Sequence, residues 1–403
     1  MKKILWLSPV VPYDKVNHAG GKTQNFYIKS IAREEDLDVR LLSFYKSDEK
    51  DKMDAEKYGI KQDVYLRGRG SFFAELKRGI SWVSKSFLFN RYVGLVPIDI
   101  QQGTHKLLKD VVAEGYIPDI VLLHWTEMLF FLPEIKNIWP NAKYVAVEED
   151  VSFLGLRRRK EFFHNFLIKK FFQVKEKKVR IKEIDYLNQC SLAIFTNKKD
   201  YDLAVENGFN GQGTVWSPFY QDFSSYEFDI TNNKDVYFYG AMNREENWRS
   251  AEWFIKNVMP LINDKSVRFV IVGGGAGNNI KKYASDNVII KGYVDSVEEE
   301  LSKGLCLVSP LVLGAGIKVK VLESMSLGIP VLTNDIGIEG IPAEDGISYF
   351  HCTTPEEYAK RIEELANNKD KIRQIGIEGR KVIKQEFDYK QDALRIANML
   401  RSL

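Results

Sequence analysis

The sequence predicts an α/β protein made of two doubly wound domains, each a parallel sheet covered by helices. Short apolar runs alternate with helical periods from one end to the other. The 403 residues also exceed the size at which one hydrophobic core keeps growing. A polar break near the middle supplies the division. The runs Ile4–Leu7, Val39–Phe44, Ile120–Leu123, Tyr144–Val147, Leu192–Thr196, Val236–Tyr239, Phe269–Val272, Val288–Ile290, Leu305–Ser309 and Val331–Thr333 read as strands. They are apolar throughout rather than alternating, as strands buried on both faces are. Between residues 211 and 231, Gly211-Gln-Gly213 and Trp216-Ser-Pro218 interrupt the pattern, and a polar stretch from Asp229 to Asp235 precedes a fresh strand. The expected domains are residues 1–215 and 216–385, with 386–403 a terminal helix.

Composition narrows the class. Hydrophobic residues at 44% and charged residues at 28% fit a globular protein, and the net charge of +3 is small. Without a recognisable reading motif, such a charge makes nucleic acid a poor partner. Three scattered cysteines fit a reducing compartment. The opening Met1 to Pro12 reads as a first buried strand rather than a signal peptide, since no small-residue cleavage site follows and Pro9, Pro12 and Asp14 break the run. No stretch reaches the ~18 apolar residues of a membrane span. Two segments, 155–182 and 67–92, mix cations with aromatics, including Phe162, Phe163, Phe166, Phe171 and Phe172. They suit either an interfacial helix on an anionic leaflet or amphipathic helices whose aromatics face the core. The Asp-x-Asp at Asp36-Leu-Asp38 precedes a strand and sits at the wrong end of it for a nucleotide, and no metal site is expected.

The most informative stretch runs from Pro310 to Asp335. It reads as strand end, glycine loop, helix, tight turn and next strand. Gly314, Ala315 and Gly316, with Ile317, form a loop whose N–H groups can approach a ligand, and a helix start favours an anion. Counted as one helix, Gly316, Lys320 and Glu323 fall at i, i+4 and i+7 and share a face. That assigns Lys320 to a diphosphate and Glu323 to ribose hydroxyls. Without the loop, Lys320 and Glu323 would be a solvated pair worth ~0.2–0.5 kcal/mol. Gly273 opens a second glycine turn that lines the same pocket, and Tyr293 and Val294 form a wall against the base. Arg244 either contacts the donor or closes the start of a helix by pairing with Glu245 or Glu246. Nearer the N-terminus, His18-Ala-Gly20-Gly21-Lys-Thr23 follows the first strand and opens a helix. His124 ends one strand, and Glu148, Glu149 and Asp150 end the next; catalysis, acceptor binding and charge balance all remain open for them.

The run Gly314 to Val331, followed by Gly337-Ile-Glu-Gly340, resembles the donor-site signature of glycosyltransferase family 4 in its glycine-loop subgroup. The segment Tyr237 to Asn247 is similar to the opening of that subgroup's C-terminal domain. The resemblance covers residues 235 to 345. It implies a GT-B fold, two Rossmann-like domains facing across a cleft, with 1–215 on the acceptor side, 216–385 binding a nucleotide sugar and the terminal helix crossing back. It further implies retaining, metal-independent transfer from a UDP- or GDP-type donor to a hydroxyl acceptor, with no cofactor. The usual setting is cell-surface or capsular polysaccharide assembly in the cytoplasm, at the inner face of the membrane, on a glycan, lipid-linked or protein acceptor.

Carried onto this chain, the donor contacts are Gly20, Gly21, Arg244, Gly273, Tyr293, Val294, Gly314, Ala315, Gly316, Ile317, Lys318, Lys320 and Glu323. The catalytic candidates are His124, Lys320 and Glu149. Two departures stand out. Ala315 occupies the place of the family's first glutamate, and Arg244 is the one cation between Gly240 and Asn247, so Lys318 and Lys320 are expected to supply the missing positive charge. These departures leave room for a degenerate homologue that binds a partner transferase; a sugar-nucleotide epimerase would need the 148–150 acids around the sugar.

Overall fold

The computed structural model describes residues 1–14, 16, 18–67, 92–162, 165–228, 233–314 and 316–403. Ala315, Phe163 and nearly all of the 67–92 segment lie outside the described residues. The chain forms two compact units, Met1–Phe219 with Tyr389–Leu403, and Tyr220–Asp388.

In the first unit, β1 (Lys2–Leu7), β2 (Leu37–Tyr45), β3 (Lys61–Leu66), β4 (Ile120–His124), β5 (Lys143–Glu148), β6 (Leu192–Phe195) and β7 (Gly213–Val215) form one sheet in the order β3-β2-β1-β4-β5-β6-β7. Every pairing is parallel. Side chains alternate across it: Leu5 and Leu7 join a cluster with Val121, Leu123 and Phe131, while Ile4 and Trp6 join Tyr27 and Ile28 on the opposite face. Both faces being covered is why the central strands read as continuous apolar runs. The edges escape that rule. In β3 the residues Lys-Gln-Asp-Val-Tyr-Leu are half-buried or exposed, and β7 is three half-buried residues beside the glycines that the sequence suggests as a boundary.

The helix Tyr389–Ser402 closes one face of this unit, burying Ala393, Ile396, Ala397 and Leu400 at i, i+3, i+4 and i+7 against Ile4 and Trp6. Its Arg401 pairs with Glu34 at 2.5 Å and Asp36 at 2.8 Å. Asp36 is thus an ion-pair partner of the terminal helix.

In the second unit, β8 (Asp235–Tyr239), β9 (Arg268–Val272), β10 (Val288–Gly292), β11 (Cys306–Ser309), β12 (Val331–Thr333) and β13 (Phe350–His351) form a parallel sheet in the order β10-β9-β8-β11-β12-β13. The strand order reverses at β8/β11, as it does at β1/β4 in the first unit. In open α/β sheets such a reversal opens a crevice beyond the carboxyl ends of the strands.

Next to that reversal, the loops after β8 and β9 meet tightly in the second unit. Gly273 has φ +135°, and a Cβ there would lie 2.0 Å from the Gly240 carbonyl oxygen. A Gly273→Ala substitution must therefore move backbone, and it is expected to cost about 2 kcal/mol. An unchanged midpoint in urea unfolding would refute that reading of the contact.

Candidate functional site

Four loops gather at the carboxyl ends of the second unit's sheet: 240–244 after β8, 273–277 after β9, 292–294 after β10 and 310–318 after β11. Backbone bonds lock three of them together, with the Gly273 N–H donating to the Gly292 carbonyl at 2.7 Å and the Met242 N–H to the Gly274 carbonyl at 2.8 Å. The helix that follows the fourth loop spans Val319–Leu327 and ends at Gly328, φ +84°, a left-handed cap with Pro330 just beyond. Gly316 lies before this helix, so the three-residue face expected from spacing reduces to Lys320 and Glu323. The chain turns at Lys318, in extended conformation, before the first helical residue.

Lys320 is the central cation. Its Nζ donates to Asn247 Oδ1 at 2.8 Å and stands 4.3 Å from the centre of the Phe238 ring. Burial, and after it the charge of Arg244, pushes its pKa down from 10.5 to about 7. A lysine so poised gains its full charge when an anion arrives. Lys318 is differently placed: its ammonium donates to the Gly316 carbonyl and lies 3.6 Å from Glu339, whose side chain is 4% exposed. It braces the glycine loop from within. Arg244 pairs with Glu246 at 2.5 Å at the start of the helix Glu245–Asn257. Tyr293 is 79% exposed.

Glu323 is buried and held from two sides. Tyr239 OH donates to Oε2, and the Gln221 backbone N–H donates to Oε1 at 3.2 Å. Tyr239, Asn247 and Glu339 fall in segments quoted for the resemblance but were given no role there. Tyr239 ends β8, Asn247 lies in the helix Glu245–Asn257 and Glu339 in a loop, so their adjacency in space to Glu323, Lys320 and Lys318 was the missing signal.

At the carboxyl end of the first unit's sheet a second cluster forms. His124 is fully buried and its Nε2 lies 2.8 Å from Glu149 Oε1. Burial pushes the imidazole down to about 3 and the Glu149 carboxyl up to about 8, so the pair is neutral near pH 7. His124 Nδ1 has no hydrogen-bond partner among the described residues. Trp125 stacks on the imidazole at 4.3 Å and carries φ +69°, a costly conformation for a side chain of that size. Gly20 belongs to the same cluster, since a Cβ there would stand 2.9 Å from the Trp125 ring and 3.4 Å from Glu149 Oε2. Gly21 lies in the first turn of the helix Ala19–Ala32, its N–H donating to His18 Nδ1 at 3.0 Å.

The acidic triplet of the sequence divides. Glu149 turns to His124, whereas Glu148 turns inward to Thr126, whose hydroxyl also lies 3.3 Å from Glu183 Oε1. Successive residues at a strand end point to opposite faces.

Among the described residues no group of histidine, cysteine and acidic side chains could hold a metal ion. No described helix is long and apolar enough to cross a membrane.

With this geometry in hand, the relatives are informative. Residues 233–368 match the family described as glycosyl transferases group 1. The chain has the GT-B fold of glycosyltransferases: it is similar over its whole length to Anabaena Alr3699/HepE in complex with UDP, at 15% identity, full coverage of both chains and a TM-score of 0.69. The same protein with UDP-glucose gives 16% identity, full coverage of both chains and 0.66. Sucrose-phosphate synthase from Thermosynechococcus elongatus gives 12% identity, 100% of this chain, 99% of that one and 0.70. In sequence, the chain is similar to an uncharacterised 44.6 kDa protein in the cps region of Klebsiella pneumoniae, 26% identical over 188 residues, or 44% of this chain. The match spans 47% of that relative, about half its length.

Proposed function

We propose that the protein is a glycosyltransferase that moves a sugar from a nucleoside diphosphate sugar, of UDP or GDP type, to a hydroxyl acceptor with retention of configuration. Its acceptor is a glycan, lipid-linked or protein hydroxyl, and its setting is cell-surface or capsular polysaccharide assembly at the inner face of the membrane. One observation carries the reading: a lysine with a pKa near 7 and a buried glutamate stand one turn apart on the helix that leaves the β8/β11 reversal. In this reading Lys320 and the N–H groups around Gly314, Gly316 and Ile317 take the charge that develops on the departing nucleoside diphosphate, without a metal ion. Glu323 receives the ribose hydroxyls. His124 and Glu149 are the catalytic candidates within the first unit.

The donor test is thermal-shift screening against UDP, GDP, ADP and their sugars, followed by transfer assays. Stabilisation by one nucleotide is expected, at about 2.7 kcal/mol for ligand at ~100 times its Kd. No stabilisation by any of them would sink the proposal, and binding without hydrolysis or transfer would favour the degenerate homologue. The epimerase reading would need the acids of the triplet around the sugar, and Glu148 turns inward to Thr126. A finer test addresses Glu323. Glu323→Gln is expected to lose roughly tenfold in UDP affinity while 2′,3′-dideoxy-UDP binds both proteins alike. Equal losses for the two ligands would remove the ribose assignment.

A further inference from the structure

The helices Ser152–Phe162 and Phe166–Asn188 contain an outward face that the donor site does not use. Residues 155–182 carry eleven lysines and arginines against two glutamates, Glu161 and Glu176. Glu176 is already engaged, lying 3.3 Å from Arg157 and 3.2 Å from Arg180. The long helix has a conventional inner side, with Phe172 packed on the core cluster and Val179, Ile184 and Leu187 buried. Its outer side is unusual. Phe166 is 76% exposed, Leu167 75% and Ile181 56%, and between them Lys169, Lys170, Gln173 and Lys177 are also exposed. Positions 166, 170, 173, 177 and 181 follow the helical repeat, so they form one stripe roughly 22 Å long. No described carboxylate lies within ion-pair distance of Lys169, Lys170 or Lys177.

A helix face turned to water is ordinarily polar, and large apolar side chains there are exposed at a cost that only a partner removes. We propose that this face docks on an anionic lipid bilayer. Phe166 and Leu167 insert at the boundary of headgroups and acyl chains, Ile181 follows at the far end of the stripe, and the three lysines meet the lipid phosphates. Charge complementarity selects this occupant: unpaired cations match an anionic leaflet, and the apolar residues beside them match its hydrocarbon edge. A nucleic acid would satisfy the lysines and leave Leu167 and Ile181 in water. The proposal stands apart from the donor-site reading, because it uses none of those residues.

The experiment is vesicle sedimentation of the full chain at about 0.1 M salt, with phosphatidylcholine vesicles containing or lacking roughly a quarter phosphatidylglycerol. The wild type is expected to bind the anionic vesicles at least ~30-fold more tightly than the neutral ones, and the pair Phe166→Ser with Leu167→Ser to lose ~30- to 100-fold. Equal binding to both vesicles, binding to neither, or full binding by the serine pair would overturn the proposal. So would single-stranded RNA retained where vesicles are not. Should the serine pair fail to fold by circular dichroism, Leu167→Cys answers the same question. The three native cysteines are buried, so an environment-sensitive fluorophore labels position 167 selectively. A blue shift on anionic vesicles supports insertion, and an unchanged spectrum overturns it.

Discussion

Lys320→Met is expected to weaken binding of the donor sugar nucleotide by roughly 10²- to 10³-fold while leaving the fold intact. Methionine keeps the apolar stem and removes the ammonium, with its bond to Asn247 and its place over the Phe238 ring. No neighbour takes over the role. Lys318 is tied to the Gly316 carbonyl and Glu339, and Arg244 is tied to Glu246.

The same residue predicts a pH dependence with a definite sign. With its pKa pushed down to about 7, Lys320 is charged in about half of the free molecules at pH 7. A bound pyrophosphate favours the charged form, so binding takes up protons. Below pH 7 the lysine is already charged and affinity is level. Above it each pH unit is expected to raise Kd about tenfold, until the pKa of the bound state is reached. The two phosphates of a sugar nucleotide have no proton to lose in this range, which keeps the signal clean. Calorimetry in two buffers of different ionisation enthalpy measures the uptake directly. Affinity that stays flat above neutrality, in both the wild type and Lys320→Met, would remove Lys320 from the site.

The fold was legible because burial on both sides of a parallel sheet leaves its mark on every central strand. β1, β4, β5, β8 and β9 all stand out as apolar runs. The edge strand β3, with Lys61, Gln62 and Asp63, carries no such mark, because half of it faces water. Within the candidate site, Gly314, Gly316, Lys320 and Glu323 could be named from the sequence because they lie close together in a loop followed by a helix start. Their supports could not. Tyr239 meets Glu323 across 84 positions of chain and Asn247 meets Lys320 across 73, and only the sheet brings them together. Glu183 was the deepest miss. Amid Lys182, Arg180 and Lys178 it reads as one more solvated charge, yet it is fully buried.

That burial carries the second large prediction. Glu183 accepts the backbone N–H groups of Ser152 at 2.8 Å and Phe153 at 3.3 Å, so a carboxyl from the long helix caps the start of the shorter one. Thr126 lies between Glu183 and Glu148, and its hydroxyl has one proton to give. Two ionised carboxylates could not both be satisfied there, and protonation resolves the conflict. Burial, and then the charge of Glu183, holds Glu148 well above the usual carboxylate range; burial pushes Glu183 up to about 8 against the pull of the Ser152 and Phe153 N–H groups. Glu127 and Asp200 add like charge from two neighbouring helices. Both carboxyls are thus raised above their unfolded value near 4.5, so the folded protein keeps a proton that the unfolded chain releases. The stability this contributes is complete below about pH 4.5 and is lost as pH rises through about 8.

Glu148→Gln replaces the protonated partner with a permanently neutral amide of the same shape. At pH 5 the variant is expected to match the wild type within ~1 kcal/mol, and at pH 8 to exceed it by about 2–3 kcal/mol. Glu183→Ala should behave oppositely and destabilise at both pH values, because two helix N–H groups lose their acceptor and Thr126 loses a neighbour. Urea unfolding of the three proteins at pH 5 and pH 8 separates the cases. If the difference between Glu148→Gln and wild type does not change with pH, Glu148 is not held protonated by the fold, and its inward turn is a matter of packing alone.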